Sequence, residues 1–314
     1  MSRKRLAAVT VLVVALTSAA AVASVTASAT PARQGGTVKL GFITKFPVDF
    51  YFTLVGGAKK WQASHKSVTV MYAQGKAATD DAGEIAAIQD MVASGVKGIA
   101  ITPTSPAVIP ALNKAVKAGV KVVLMDNDLP TWKLKSSVVS TNNLKGGTLA
   151  GQWLAQKLKA GDSLGILEGV PGVPALDDRV NGMLEGLGPL KSKLKIVSKL
   201  ETDCDQTKGA SAAQTMLTAN PNLTAIYSAC GPPALGAIQS IKNAGAKNII
   251  LVGFDGLPDE VAAVKAGTEA ATVAQHPSKI GSLGIATLYA AVQGQKVAKN
   301  VDTGTSLITP ANAK

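Results

Sequence analysis

Short apolar runs alternate with helical segments along most of this 314-residue chain. The runs at 38–43 and 249–254 are bounded by turn-forming residues, as buried parallel strands are. Between such runs lie segments like 81–94, whose apolar residues recur every three or four positions, which is helical spacing. Repeated strand–helix–strand units of this kind predict an α/β fold with parallel sheets and right-handed crossovers.

The alternation restarts after residue 140 and runs again to residue 254. Two successive α/β units of similar size predict two lobes, each a doubly wound parallel sheet, with a cleft between them. The length agrees, since the roughly 280 residues that follow an N-terminal signal exceed what most single cores hold. In open sheets of this kind, ligands bind at the carboxyl ends of the strands.

Residues 1–29 have the features of an export signal. Three cations at positions 3–5 precede a largely apolar stretch at 6–16, and small residues at 21–23 and 27–29 offer two cleavage sites. The apolar stretch is short for a membrane-spanning helix. No cysteine lies near this boundary, so a lipid-modified N-terminus is not expected. The sequence predicts cleavage at Ala29 and a soluble protein in the periplasm or cell envelope.

The formal net charge is +12, but the lysines are scattered through every amphipathic segment. Nucleic-acid-binding proteins instead gather their basic residues in a patch or stripe. The sequence shows no such stripe interleaved with aromatic residues, and an export signal argues against a DNA-binding role. No binding of nucleic acid is therefore expected.

Two cysteines, Cys204 and Cys230, lie in the portion that would be exported. A lone pair of cysteines in an oxidising compartment usually forms a disulfide. This bond would close a loop of about 26 residues, a stabilisation of roughly 3 kcal/mol in the chain-entropy model. A free thiol or a metal site is less favoured, because the only histidines, His65 and His276, lie far from both cysteines in sequence.

The sequence contains none of the common enzyme motifs. The chain lacks a dinucleotide-binding glycine pattern, a Walker loop, a Gly-x-Ser-x-Gly elbow and a His-Glu-x-x-His motif. No catalytic residue, metal site or cofactor is therefore predicted. Asp126 and Asp255 each lie at the end of an apolar run and could accept hydrogen bonds from the hydroxyl groups of a small molecule. Facing carboxylates also hydrolyse glycosides, so a secreted carbohydrate-active enzyme stays an alternative.

Several short motifs occur in the order and at the spacings of one family. They are Phe50-Tyr51 followed by Gly57-Ala58, Leu-Met-Asp-Asn at 124–127, Ala-Leu-Gly-Ala at 234–237, Val-Gly-Phe-Asp-Gly at 252–256 and Ala-Gln-His-Pro at 274–277. On these motifs the chain resembles the sugar-binding proteins of ABC importers related to the ribose-binding protein, which have periplasmic-binding-protein type I topology. The resemblance covers essentially the whole chain after the signal.

The resemblance implies two lobes joined by three hinge crossings. Residues 37–141 and 276–303 would form the N-terminal lobe, and residues 142–275 and 304–314 the C-terminal lobe. A ligand would be enclosed between the lobes, and the closed form would be presented to a membrane permease and its ATPase. A monomer is expected. Delivery of the ligand to a sugar chemoreceptor stays an alternative to import.

The resemblance also implies a set of ligand-binding residues. From the N-terminal lobe, Phe50 and Tyr51 would stack on a sugar, and Asp126 would accept hydrogen bonds from its hydroxyl groups. The C-terminal lobe and the hinge would supply the remaining wall and polar contacts, from Phe254, Asp255 and Gln275.

Other positions depart from the ribose-type pattern. Asn127 and Asp177 stand where that pattern has arginines, with Arg179 close to the second of them. Cys204 stands where a pocket aromatic is usual, and Cys230 where a pocket asparagine is usual, so the disulfide would lie in the cleft wall. Losing two guanidinium groups removes rigid bidentate donors, whereas Asp177 adds an acceptor.

These departures bear on the class of ligand. A cyclic pentose held through its ring oxygen and anomeric hydroxyl would miss the two arginines. A linear polyol has no ring oxygen and can donate a hydrogen bond from every carbon, so it would miss them less. A small polyol such as xylitol, threitol or erythritol is therefore favoured over ribose.

Overall fold

Two six-stranded β-sheets organise residues 37–314, the part of the chain that this computed structural model describes. The signal peptide predicted at residues 1–29 lies outside the described residues. Within 37–314, no helix has both the length and the hydropathy that crossing a bilayer requires.

The first part of the chain follows the alternation expected from the sequence. Its elements are β1 (Val38–Thr44), α1 (Asp49–Ala63), β2 (Val68–Gln74), α2 (Asp81–Ala93), β3 (Gly98–Ile101), α3 (Ile109–Lys117), β4 (Lys121–Met125) and β5 (Ser137–Ser140). A short 3-10 helix, Pro106–Val108, leads into α3. Every residue of β3 is buried, as its unbroken apolar sequence predicts for a central parallel strand.

The second part repeats the pattern. Its elements are α4 (Asn143–Ala155), β6 (Ser163–Glu168), α5 (Pro174–Gly186), β7 (Lys195–Glu201), α6 (Gln206–Ala219), β8 (Ala225–Ser228), α7 (Gly231–Asn243), β9 (Ile250–Asp255), α8 (Pro258–Ala266) and β10 (Ala271–Ala274). Side-chain caps fix the start of α2, α4 and α6. Asp80, Asn142 and Asp205 each accept a hydrogen bond from the backbone N–H three residues later, at 2.8 to 3.0 Å.

The last part of the chain is shared between the two sheets. α9 (Pro277–Val292) packs against α1 and on β3 and β4, and β11 (Asn300–Asp302) pairs with β5. β12 (Ser306–Ile308) then pairs with β10, and this is the antiparallel edge of the second sheet. The strand orders are β11-β5-β4-β3-β1-β2 and β12-β10-β9-β8-β6-β7.

The chain passes between the sheets three times, at residues 141–142, 275–276 and 303–305. Apolar cores cover both faces of each sheet. The predicted architecture is therefore confirmed: two doubly wound α/β lobes joined by a hinge of three crossings. The lobe boundaries stay a prediction at the level of single residues.

Candidate functional site

A cavity lies between the two lobes. It sits at the carboxyl ends of strands from both sheets, because Lys45 follows β1, Asp126 follows β4 and Gln275 follows β10. The residues that line it are Lys45, Phe46, Val48, Phe50, Tyr51, Ala78, Asp126, Asn127, Val170, Leu176, Arg179, Asp203, Cys204, Cys230, Pro232, Asp255 and Gln275.

The N-terminal lobe presents an aromatic corner and a carboxylate. Phe50 and Tyr51 lie in the first turn of α1 with their rings edge to face, 5.3 Å between centroids. The Tyr51 hydroxyl donates to Asp126 Oδ2 at 3.0 Å, whereas Asp126 Oδ1 is buried and has no partner among the described residues. Burial raises the pKa of Asp126, opposed by the positive charges of Arg179 and Lys45. One carboxylate oxygen is therefore left for a ligand.

Lys45 is a cleft residue that the sequence interpretation missed. Its side chain is 4% exposed and lines the cavity. Burial lowers the pKa of Lys45, while the carboxyl groups of Asp126 and Glu84 act in the opposite direction. The signal that could have found it is position, since Lys45 directly follows a buried strand whose end faces the ligand side of the sheet.

The C-terminal lobe presents a charge network that is largely satisfied from within. The Arg179 guanidinium donates to Asn143 Oδ1 at 2.9 Å, to the carbonyl of Ala229 at 2.9 Å and to Asp255 Oδ1 at 3.3 Å. Asp255 also accepts from the backbone N–H of Gly231 at 3.0 Å and from Gln275 Nε2 at 2.6 Å. Burial raises the pKa of Asp255, and Arg179 opposes that shift.

Two predicted site residues do not reach the cavity surface. Phe254 is wholly buried beneath Arg179, whose guanidinium carbon lies 4.1 Å from the centre of the phenyl ring. Asp177 accepts a hydrogen bond from the backbone N–H of Gly172 at 3.2 Å, while Leu176 and Arg179 of the same helix line the cavity. Residues 176 and 179 share a helix face, and residue 177 is turned about 100° from 176.

The remaining predicted residues are brought together. Asn127 lines the cavity and donates through Nδ2 to the carbonyl of Pro103 at 3.3 Å. Gln275 lines it at the hinge, where its Oε1 accepts from the Thr141 hydroxyl at 2.7 Å. The residues that the interpretation missed, besides Lys45, are Phe46, Val48, Ala78, Val170, Leu176, Asp203 and Pro232.

The predicted disulfide is present and forms part of the cleft wall. Cys204 and Cys230 are bonded, with their Cα atoms 5.5 Å apart, and both line the cavity. The bond ties the loop between β7 and α6 to the residue that precedes α7.

Unusual backbone conformations concentrate around the cavity. Five described non-glycine residues have a positive φ, and four of them, Asp126, Asp203, Cys204 and Asp255, line the cleft. Such conformations are costly, of order 1–3 kcal/mol in the least populated regions, and they cluster at ligand sites. The backbone strain therefore marks the cavity that Asp126 lines, whose Oδ1 has no partner among the described residues.

The sequence and the fold match known proteins. Residues 40–296 match the family described as periplasmic binding protein domain. The ribose import binding protein of Bacillus subtilis (strain 168) is 33% identical over 261 residues, which cover 83% of each chain.

Solved structures agree. An ABC transporter solute-binding protein from Burkholderia graminis C4D1M, in complex with D-arabinose, has a TM-score of 0.83 and 28% identity, covering 89% of this chain and 98% of its own. Another from Mycobacterium smegmatis, with bound glycerol, has a TM-score of 0.83 and 29% identity, covering 88% and 96%. These relatives are substrate-binding proteins and not enzymes, as was expected of this chain. The chain therefore belongs to the family of periplasmic binding proteins.

Proposed function

We propose that this protein captures a small sugar or sugar alcohol between its two lobes and delivers it to an ABC importer. The observation that carries the proposal is the cleft itself, where both lobes contribute polar side chains and Asp126 Oδ1 has no donor within residues 37–314. A ligand hydroxyl group would satisfy that oxygen. The related ribose import binding protein and the solute-binding protein in complex with D-arabinose support a hydroxylated ligand.

The proposed contacts follow from the geometry of the lining. Phe50 and Tyr51 would pack on the carbon skeleton of the ligand, and Asp126 would accept from its hydroxyl groups. Polar contacts from the other walls would come from Asn127, Arg179, Asp255 and Gln275. Phe254 and Asp177 would act indirectly, Phe254 by supporting Arg179 and Asp177 by holding the loop at Gly172.

We favour a small polyol over a cyclic pentose. Asn127 and Asp177 replace the arginines of the ribose-type pattern, and Arg179 is already engaged by Asn143 and Asp255. The cystine stands where a pocket aromatic is usual and offers no ring for stacking on a sugar face. A related solute-binding protein with bound glycerol is in keeping with this choice.

Titration calorimetry tests both the binding of a small sugar or sugar alcohol and the preference for a polyol over ribose. Ribose, arabinose, xylitol, threitol, erythritol and glycerol would be titrated into the protein. We expect at least one micromolar binder, with a polyol tighter than ribose. Ribose binding with no polyol response would contradict the polyol preference alone. No binding by any of the six would contradict the proposed function.

The proposed function includes a cellular location and an oligomeric state. We infer export to the periplasm or cell envelope, with residues 1–29 removed, and a monomeric mature protein. N-terminal sequencing of the exported protein checks the cleavage site, and light scattering checks the mass. Residue 1 at the N-terminus of the exported protein, or a dimer mass, would contradict the corresponding part.

A further inference from the structure

Lys45 is a buried charge that faces the cleft without a partner. Its side chain is 4% exposed and lines the cavity, and its ammonium group makes no hydrogen bond or ion pair with any of residues 37–314. An ammonium group can donate three hydrogen bonds. The Nζ atom is not among the fully buried polar atoms of residues 37–314, so whatever fills the cavity can reach it. The missing acceptor of Lys45 points to something that enters the cleft.

Asp126 provides a hydrogen-bond acceptor in the same cavity, where Lys45 provides a donor. Asp126 Oδ1 is buried and has no donor among the residues that the structure describes, although Oδ2 accepts from Tyr51. Lys45 and Asp126 are close enough for each charge to influence the other, yet no ion pair within 4.0 Å joins them. A donor-only group and an acceptor-only oxygen therefore face one space without touching. A single oxygen atom at about 2.8 Å from each can bridge two such groups up to about 5.6 Å apart.

We propose that one hydroxyl group of the ligand bridges Lys45 and Asp126. Its oxygen accepts from Lys45 Nζ, and its hydrogen is donated to Asp126 Oδ1. The inference rests on the proposed function and goes beyond it by making Lys45 a specificity-determining residue. The pair selects for a hydroxyl group at this position of the ligand. An ether oxygen has no hydrogen to donate to Asp126, and a methylene group can bond to neither side chain.

The charges around Lys45 oppose an anionic ligand. The carboxyl groups that act on Lys45 belong to Asp126, Glu84 and Asp81, and the other cation that acts on it, Arg179, is already paired with Asp255. A carboxylate or phosphate on the ligand would meet these negative charges in a poorly hydrated space. The pair of Lys45 and Asp126 is therefore suited to a neutral hydroxyl group.

In the described residues, the C-terminal lobe does not present a donor and an acceptor that both lack partners at the cavity. Asp255 already accepts from Gly231, Arg179 and Gln275, so most of its acceptor positions are filled from within the protein. The unpartnered donor and acceptor both belong to the N-terminal lobe. Discrimination between a hydroxylated and a deoxygenated position of the ligand is therefore placed at Lys45 and Asp126.

The test compares Lys45→Met with a matched control, Lys66→Met, which removes an exposed lysine of the same lobe. Ribose, arabinose, xylitol, erythritol and glycerol are titrated into the parent, and the tightest of the five serves as the probe. We expect Lys45→Met to bind it about 10- to 100-fold more weakly, the range for a hydrogen bond to a charged group. Lys66→Met is expected within twofold of the parent. Lys45→Gln serves in place of Lys45→Met should the latter not fold.

Monodeoxy derivatives of the probe separate contact from a structural effect. One of them should bind the parent at least tenfold more weakly than the probe does. The same derivative should lose little further affinity in Lys45→Met, since its missing hydroxyl is the one that Lys45 holds. The aldonate of the probe should bind the parent more weakly than the neutral probe.

Three results would overturn the proposal while leaving the proposed function standing. These are a Lys45→Met affinity within twofold of the parent, equal deoxy penalties in the parent and the variant, and tighter binding of the aldonate than of the neutral probe. Failure of all five neutral compounds to bind the parent is a different outcome, since it refutes the proposed function and the bridge with it.

Discussion

At the scale of single residues, the cleft contains charged side chains that do not stabilise the fold when no ligand is bound. Lys45 is 4% exposed and has no hydrogen-bond or ion-pair partner in the described part of the chain, so replacing it by an apolar side chain of similar length should stabilise the empty protein. We expect Lys45→Met to raise the melting temperature without ligand by about 2 °C, which corresponds to about 1 kcal/mol in a chain of this size. Differential scanning calorimetry measures the melting temperatures of the parent and the variant. A lower melting temperature than that of the parent would mean that Lys45 has a structural partner.

The two cleft aspartates should respond differently to substitution. Asp255→Ala leaves the buried Arg179 guanidinium without its carboxylate, which should lower the free energy of unfolding by about 3–5 kcal/mol. Asp126→Ala removes the acceptor of the Tyr51 hydroxyl and a carboxyl group near the charges of Lys45 and Arg179, for about 1–3 kcal/mol, but should weaken ligand binding by about 1.5–3 kcal/mol. Urea denaturation and calorimetry measure these effects. Equal losses of stability in the two variants would contradict the contrast.

A pair of buried carboxyl groups beneath the cleft should make stability depend on pH. Glu260 and Glu269 are wholly buried, and burial raises the pKa of Glu269 to about 8. The folded state then keeps a proton that the unfolded state releases near pH 4.5. This contribution to stability is fully present below pH 4.5 and is lost as the pH rises to 8, by up to about 1.4 kcal/mol per pH unit for one proton.

Glu269→Gln tests this contribution, because an amide does not titrate. Unfolding free energies of the parent and the variant should be measured by urea titration at several values between pH 5 and pH 8. The parent should lose stability relative to the variant as the pH rises. A constant difference between the two proteins across that range would show that Glu269 titrates as an ordinary carboxyl group.

At the scale of elements, the disulfide links two loops that build the cleft wall. Cys204 and Cys230 are 26 positions apart, and closing such a loop stabilises the fold by roughly 3 kcal/mol in the chain-entropy model. Reduction should therefore lower the free energy of unfolding by about that amount and weaken ligand binding, since both residues line the cavity. Urea titrations with and without dithiothreitol measure the loss. A double Cys→Ala variant is the control and should not respond to the reductant.

The sequence predicted elements better than side-chain directions. Apolar periodicity located the strands and the alternation, but it did not show that α1 begins at Asp49, which places Phe50 and Tyr51 inside its first turn. Asp177 was assigned to the pocket from its position in a motif, whereas the rotation of α5 turns Leu176 and Arg179 inward instead. A one-residue difference on a helix is a 100° difference in direction, and no motif match carries that information.

Lys45 shows a second limit. In the sequence it is one of many lysines, and lysine is almost never fully buried, so a solvated role was the natural interpretation. It lines a cavity that residues of the second lobe help to enclose, and such an arrangement is a long-range contact. The strand pattern predicted the edge of the sheet where ligands bind, but not which polar residues of that edge the opposite lobe would enclose.

At the scale of the whole molecule, the three crossings act as a hinge. The segments 141–142 and 275–276 are linked by the hydrogen bond from the Thr141 hydroxyl to Gln275 Oε1, and Gln275 lines the cavity. A ligand that contacts both lobes should favour the closed arrangement. Small-angle X-ray scattering should show a smaller radius of gyration at saturating ligand than without it. An unchanged radius would contradict closure around the ligand.

The route of the chain also restricts how the protein can be made. The N-terminal lobe needs α9, which packs against α1, and β11, which pairs with β5, yet both follow the entire second sheet in sequence. No contiguous fragment consists of one complete lobe alone, and a truncation at 141–142 or 275–276 removes α9 and leaves an apolar face of the first sheet exposed. During synthesis the first lobe lacks α9 and β11 until residues 277–302 have been made, so the second lobe is the one that can bury most of its core first.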